Sequence, residues 1–203
     1  MRRIAVAFVL VLLAAGIVGS ALGAEKYRRY AVRGEGISVA VPAAWAATAG
    51  GVSQAVLERL ARENPKLAPF VRGLGGPNSP MKFIALDPKV RDGFATNVNV
   101  VVVPARPGIT FAQYRQALLA ELRSVVGSEP IEQSVARIGG VRAVRFRYRL
   151  RLTFGRTITA QTLQYAFLRP GRSVIVTYTT LPRFASTYME TFARSAASIR
   201  FAP

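Results

Sequence analysis

Neither cysteine nor histidine occurs in the 203-residue chain. Without cysteine there is no disulfide, no thiol nucleophile and no lipid attached through an N-terminal cysteine. Without histidine the usual general base at neutral pH and the commonest metal ligand are gone. A structural zinc site, which draws on those two residue types, is effectively excluded. Acidic residues are scarce: Glu25, Glu35, Glu58, Glu63, Asp87, Asp92, Glu121, Glu129, Glu132 and Glu190. Lysine is scarcer still, at Lys26, Lys66, Lys82 and Lys89. The rest of the 28 basic residues are arginine, and the formal charge is +18. Such an arginine excess follows from GC-rich coding, or from attraction to polyanions such as membrane headgroups, wall polymers or nucleic acid.

What the chain does have begins with an address. Met1-Arg-Arg3 is a positive start, Ile4 to Val18 is an almost unbroken apolar run, and Ser20 to Ala24 supplies small residues. That order predicts a secretory signal cut after Gly23 or Ala24. An uncleaved anchor is the alternative, since Ile4 to Ala24 is uncharged and about 20 residues span a bilayer. Arg2 and Arg3 hold the N-terminus in the cytoplasm either way. The expected location is therefore extracellular, or anchored on the outer face of the cytoplasmic membrane. Residues 1–24 are the signal or anchor, and 25–203 form one domain of ordinary size that buries a core without staples.

The stretch from Val141 to Leu152 organises that domain. Val144, Phe146, Tyr148, Leu150 and Leu152 share one parity, and Arg145, Arg147, Arg149 and Arg151 share the other. A strand sends successive side chains to opposite faces, so the stretch has one apolar face and one ladder of four guanidinium groups. A helix would scatter the arginines round its axis. A one-residue slip would bury four charges, which fixes the register.

Around it, Ile37 to Val41, Met81 to Leu86, Asn97 to Val103, Ile131 to Ile138, Thr157 to Leu168 and Arg172 to Thr180 read as strands, with Tyr27 to Arg33 a strand or a tail. Valines on both parities of Asn97–Val103 suit a central strand. Val52, Val56, Leu57 and Leu60 make a helical stripe. Thr110 and Gln113 form a capping-box pattern ahead of Phe111, Tyr114, Leu118, Leu122 and Val125, and Gly127 ends that helix. Pro182 opens a final helix with Phe184, Tyr188, Phe192 and Ala196 on one side. Gly139-Gly140 and Pro170-Gly171 are tight turns. The order is β, α, β, β, α, four β, α, which predicts an α+β fold: a mostly antiparallel sheet of about six to seven strands flanked by helices. With helices on both faces, the arginine ladder has to lie beyond their edge or face a groove.

Little in the chain points to catalysis. There is no Gly-x-Ser-x-Gly elbow, and the glycine-rich segment Gly73 to Pro80 lacks the Gly-Lys-Ser/Thr of a phosphate-cradling loop. Asp87 with Asp92, and Glu129 with Glu132, are the carboxylate pairs available for acid/base work or for a hard cation; carboxylates at turns are far more often structural. Trp45, the single tryptophan, reads as a core anchor over a stacking platform. The arginine ladder is the sharpest functional candidate. Same-face neighbours on a strand lie only about 7 Å apart, so the row repels itself unless something offsets it. It reads either as a solvated face, with Glu132, Thr159 and Gln161 as partial offsets, or as a polyanion-binding face made of Arg145, Arg147, Arg149 and Arg151. Nucleic acid is disfavoured as the partner, because export removes it and Tyr148 lies on the wrong parity to stack beside the arginines.

In its strand-proline-tryptophan opening Ile37-Ser-Val-Ala-Val-Pro-Ala-Ala-Trp45, its Met81–Val103 hairpin, its helix from Thr110, and its run from Tyr165 to Tyr178 into the Pro182 helix and Ile199-Arg-Phe201, the chain resembles the PsbP-like fold family. That family contains the extrinsic photosystem II subunit, Ran-binding proteins of the Mog type and secreted actinobacterial lipoproteins. The resemblance covers roughly residues 36 to 201 and implies an α/β/α sandwich acting as a non-enzymatic binding or assembly module. The lipoprotein form does not carry over, because its cysteine is missing, and no ion-binding residue of the photosystem subunit is matched. The function expected is an exported, non-enzymatic envelope module that meets an anionic membrane, an envelope polyanion or an acidic protein through its basic face. The alternative is an exported hydrolase or transferase with a pocket near residues 73–80. No catalytic, cofactor-binding or metal-binding residue is assigned.

Overall fold

The computed structural model describes residues 26–48, 52, 54–63, 65, 79–154 and 156–202. Residues 1–24, the expected signal or anchor, and residues 66–78 with most of the glycine-rich segment, lie outside the described residues.

Among the described residues the fold is made of two antiparallel sheets and three α-helices. The large sheet has seven strands in the order β3-β4-β5-β9-β8-β7-β6: β3 (Ala46–Ala47), β4 (Met81–Leu86), β5 (Asn97–Pro104), β6 (Ile131–Ile138), β7 (Val141–Phe154), β8 (Arg156–Arg169) and β9 (Arg172–Thr180). The expected run of four hairpin-linked strands is β6 to β9, and β5 is central, bonded to β4 and β9. The second sheet, of three strands, is an addition to the sequence-based expectation of a single sheet. It joins β1 (Tyr27–Val32), β2 (Ile37–Pro42) and β10 (Arg200–Phe201). Among the described residues no helix is long and apolar enough to cross a membrane.

Helices cover both faces of the large sheet. On one face α2 (Phe111–Val126) buries Tyr114, Leu118 and Leu122 against Val144, Phe146, Tyr148 and Leu150 of β7. Its start is the expected capping box: the Thr110 hydroxyl accepts from the Gln113 N–H, and the Gln113 side chain accepts from the Thr110 N–H. Leu57 of α1 (Gln54–Glu63) joins the same core. On the other face α3 (Ala185–Ala197), entered through a 3-10 turn at Pro182–Phe184, lays Tyr188, Phe192 and Ala196 over Leu163, Tyr165, Val176 and Tyr178. The small sheet shares that layer through Val32, Ile37, Val39 and Val41. Trp45 is buried there, edge-on to Tyr188, as a core anchor.

The β6–β7 turn is tied to this layer. Gly139 and Gly140 have φ of 55° and 79°, the left-handed pair that a two-residue hairpin turn requires. A Cβ at Gly139 would lie 2.7 Å from the Ile199 carbonyl oxygen, whereas one at Gly140 would meet nothing within 4 Å. Gly139→Ala is therefore expected to cost about 2–3 kcal/mol, strain and collision together, and Gly140→Ala about 1 kcal/mol from the backbone alone. Urea denaturation of both variants tests this, and equal losses would remove the contact from the account.

Candidate functional site

The arginine ladder sits on the face that α3 covers, but farther out. Cross-strand register places Arg145 opposite Tyr165, Arg147 opposite Leu163, Arg149 opposite Gln161 and Arg151 opposite Thr159 on β8. On the other side Arg145 faces Ser134 and Arg147 faces Glu132 of β6. Helix α3 packs over β8 and β9, one and two strands inward of the ladder. Strand β7 therefore runs out from beneath the covering layer. Ala143 at its start is fully buried with Phe167 and Ile199. Arg145 and Arg147 are half-buried, and Arg149 and Arg151 are exposed. Of the two arrangements allowed by helices on both faces, the structure has the ladder beyond the helix edge, with a recess along its inner half. The opposite parity is apolar and buried as expected from Val144 to Leu150; the side chain of Leu152 lies outside the described residues.

Two carboxylates offset the row. Glu132 stands 3.6 Å from Arg147, and Glu129 stands 3.4 Å from Arg151. The second pair escaped the sequence reading, because Glu129 precedes the strand and its reach depends on the turn. Arg151 is exposed, and the half-buried Arg147 meets a Glu132 that is itself open to solvent; ion pairs in contact with water in this way contribute about 0–1 kcal/mol, so the ladder keeps most of its positive field. Arg145 has no carboxylate partner among the described residues, and its neighbour is a phenol. Burial pushes the Tyr165 hydroxyl above its ordinary pKa, while the Arg145 guanidinium beside it pulls the other way.

The remaining carboxylate candidates hold the fold together. Asp87 is buried: its Oδ1 accepts from the Lys89 N–H at 2.9 Å, and its Oδ2 accepts from the Tyr188 hydroxyl. This pins α3 to the end of β4, and Arg91 lies over the Phe184 ring 4.8 Å away at the same junction. Asp92 pairs with Arg183. The structure does not bring Asp87 and Asp92 together on one ligand, nor Glu129 and Glu132, since each engages a different partner. One spacing missed in the sequence is Ser79-Pro-Met-Lys82, a Ser-x-x-Lys. A helix would stack those two side chains, but here they enter a strand, where i and i+3 diverge. The Ser79 hydroxyl accepts from the Met81 N–H at 3.3 Å, and Lys82 lies 3.9 Å from Glu35. Of the proposed pocket near residues 73–80, only residues 79 and 80 are described.

No protein-family sequence profile matches the chain, and no curated protein does. Solved structures do resemble it. The cyanobacterial PsbP protein CyanoP from Synechocystis sp. PCC 6803 superposes with a TM-score of 0.54 at 13% identity, over 92% of this chain and 98% of that one. LpqN, involved in cell envelope biogenesis of Mycobacterium tuberculosis, gives 0.54 at 14% identity, over 82% and 83%. The Saccharomyces cerevisiae Ran-binding protein Mog1p gives 0.52 at 8% identity, over 88% and 96%. All three likenesses agree with the PsbP-like resemblance of the sequence. At such identities the likeness is one of architecture, and the architecture of this chain is the PsbP-like α+β fold.

Proposed function

We propose that the protein is an exported, non-enzymatic binding or assembly module of the cell envelope that rests its arginine-bearing face against an anionic membrane. The observation that carries this reading is the position of the ladder. The covering layer of α3 and the small sheet reaches only the start of β7, at Ala143, which leaves Arg149 and Arg151 exposed and Arg145 and Arg147 half-buried at the rim. Guanidinium groups left at an open rim keep their positive field available to an anionic surface. Export is supported by the Arg2-Arg3 start and the apolar run after it. An envelope role is supported by the fold shared with LpqN.

Residues 25–203 contain every described element and are the material for the test, which is sedimentation with anionic and with neutral vesicles at about 50 mM and about 500 mM salt, where screening differs several-fold. Each basic residue near an anionic bilayer is worth up to about 1 kcal/mol. Changing Arg145, Arg147, Arg149 and Arg151 to Gln is therefore expected to weaken binding by as much as about a thousandfold. Binding that ignores lipid charge, or that survives in the four-Gln variant, would sink the reading.

A further inference from the structure

Buried N–H groups without an acceptor are rare in folded proteins. Among the described residues they occur at Gln133 Nε2, Arg145 Nε and Arg147 Nε. All three residues line one recess of about 160 Å³ at the edge of the large sheet, together with Glu132 and Ser134. Gln133 belongs to the opposite parity of β6, across from Phe146. The two arginines and Ser134 share the ladder face.

Resting on the reading of the ladder as an anion-contacting face, we infer that this recess is a binding site for a single phosphate group, free or carried on a lipid headgroup. The Nε–H and the adjacent Nη–H form one edge of a guanidinium, and that edge matches two oxygens of an oxyanion. In Arg147 the Glu132 carboxylate stands 3.6 Å from Nη1, so the Nε edge stays open. Arg145 and Arg147 are two residues apart on one strand, about 7 Å at strand rise, a separation that one tetrahedral anion bridges with an oxygen edge turned to each. Ser134, directly across from Arg145, adds a hydroxyl donor. A planar carboxylate has two oxygens, which one guanidinium satisfies. Two guanidinium edges and a hydroxyl call for three or more oxygens on one centre. The Tyr165 phenol opposite Arg145 limits where that guanidinium rests. The one unfavourable group is Glu132, whose carboxylate lines the recess and repels an incoming phosphate. Its side chain is 67% exposed, so it is free to swing into solvent.

Titration of the full chain in maltoside micelles with inorganic phosphate, followed through the arginine Nε–H resonances, tests the site. Phosphate is expected to shift Arg145 and Arg147 and to leave Arg149 in place. Arg145→Lys and Arg147→Lys keep the charge but remove the guanidinium edge, and each is expected to lose about tenfold in affinity, whereas Arg149→Lys loses less than about twofold. Glu132→Gln is expected to bind phosphate several-fold more tightly. Thermal unfolding of each variant shows that the fold is kept. Lysine variants that bind like the parent, an Arg149→Lys loss equal to the others, or no response to Glu132→Gln would each overturn the site in favour of a diffuse field. Micelles doped with phosphatidic acid compete with inorganic phosphate if the group is a headgroup and not if it is the free anion; oleate-doped micelles of equal charge should not compete, and competition by them as strong as by phosphatidic acid would also overturn the site. Vesicle binding that persists in the lysine variants, with phosphate never bound, removes the recess alone. Phosphate bound in the recess without any vesicle binding removes only the membrane-surface reading.

Discussion

Phe146→Ala is expected to cost about 3–5 kcal/mol of stability, the range for emptying a fully buried phenyl site. Phe146 has no solvent exposure and packs in the core that α2 closes with Tyr114, Leu118 and Leu122. Its strand neighbours on the same face, Val144 and Tyr148, are equally enclosed, so little can collapse into the void. A domain of this size has about 5–15 kcal/mol in total, and the variant gives up a large part of it. Arg149→Gln, three positions along but on the other face and exposed, is expected to change stability by less than about 0.5 kcal/mol. Urea midpoints for the two variants test parity directly. A loss below about 1 kcal/mol for Phe146→Ala, or comparable losses for both, would contradict the register.

That contrast marks how much of the fold was legible in the sequence. Alternation over Val141 to Leu152 is a local property, and local properties survive in sequence: it assigned Phe146 and Arg147 to opposite faces, and the cross-strand register bears this out. The Thr110 capping box and the Gly139-Gly140 turn are equally local, since each depends on residues within one turn of backbone. The second sheet was not legible. It is built on the pairing of β1 with β2 and extended where Arg200 and Phe201 pair with Ser38 and Ile37; which sheet a strand joins is set by long-range packing, and a two-residue strand has no period to detect. The site divides in the same way. Parity named the four arginines of one face. It could not say that Arg145 and Arg147 are sheltered while Arg149 and Arg151 are bare, because shelter depends on where Ile199 and α3 end above the sheet. Nor could it find the Tyr188–Asp87 bond, whose ends are 101 residues apart.

Stability is expected to be nearly flat from about pH 6 to pH 9 and to collapse above pH 10. The flat part follows from composition. With no histidine and no cysteine, the only group of the chain with an ordinary pKa in that window is the terminal amine. The collapse follows from four buried phenols. Burial raises Tyr114, Tyr148, Tyr178 and Tyr188 well above the ordinary tyrosine value of 10.0, and for Tyr188 the Asp87 carboxylate adds to the rise. Each phenol is bonded in its neutral form: Tyr148 to Gln164, Tyr178 to Ser195, Tyr114 to Ser173 and Tyr188 to Asp87. A folded pKa above the unfolded one means that the unfolded chain releases these protons first. Their contribution is whole below pH 10 and drains away as pH rises beyond it, at about 1.4 kcal/mol per pH unit per phenol. By pH 11 the four together remove about 5–6 kcal/mol, which is comparable to the whole stability of many domains. Urea midpoints at pH 7, 9 and 11 measure the effect, and phenolate absorbance of the four buried groups should rise together with unfolding and not ahead of it. Tyr188→Phe lowers the starting stability by removing its bond to Asp87, yet its alkaline slope should be shallower by about 1.4 kcal/mol per pH unit. A midpoint that holds to pH 11, or four phenolates that form while the sheet is intact, would mean that these rings are open to water and that the two cores are looser than their packing implies.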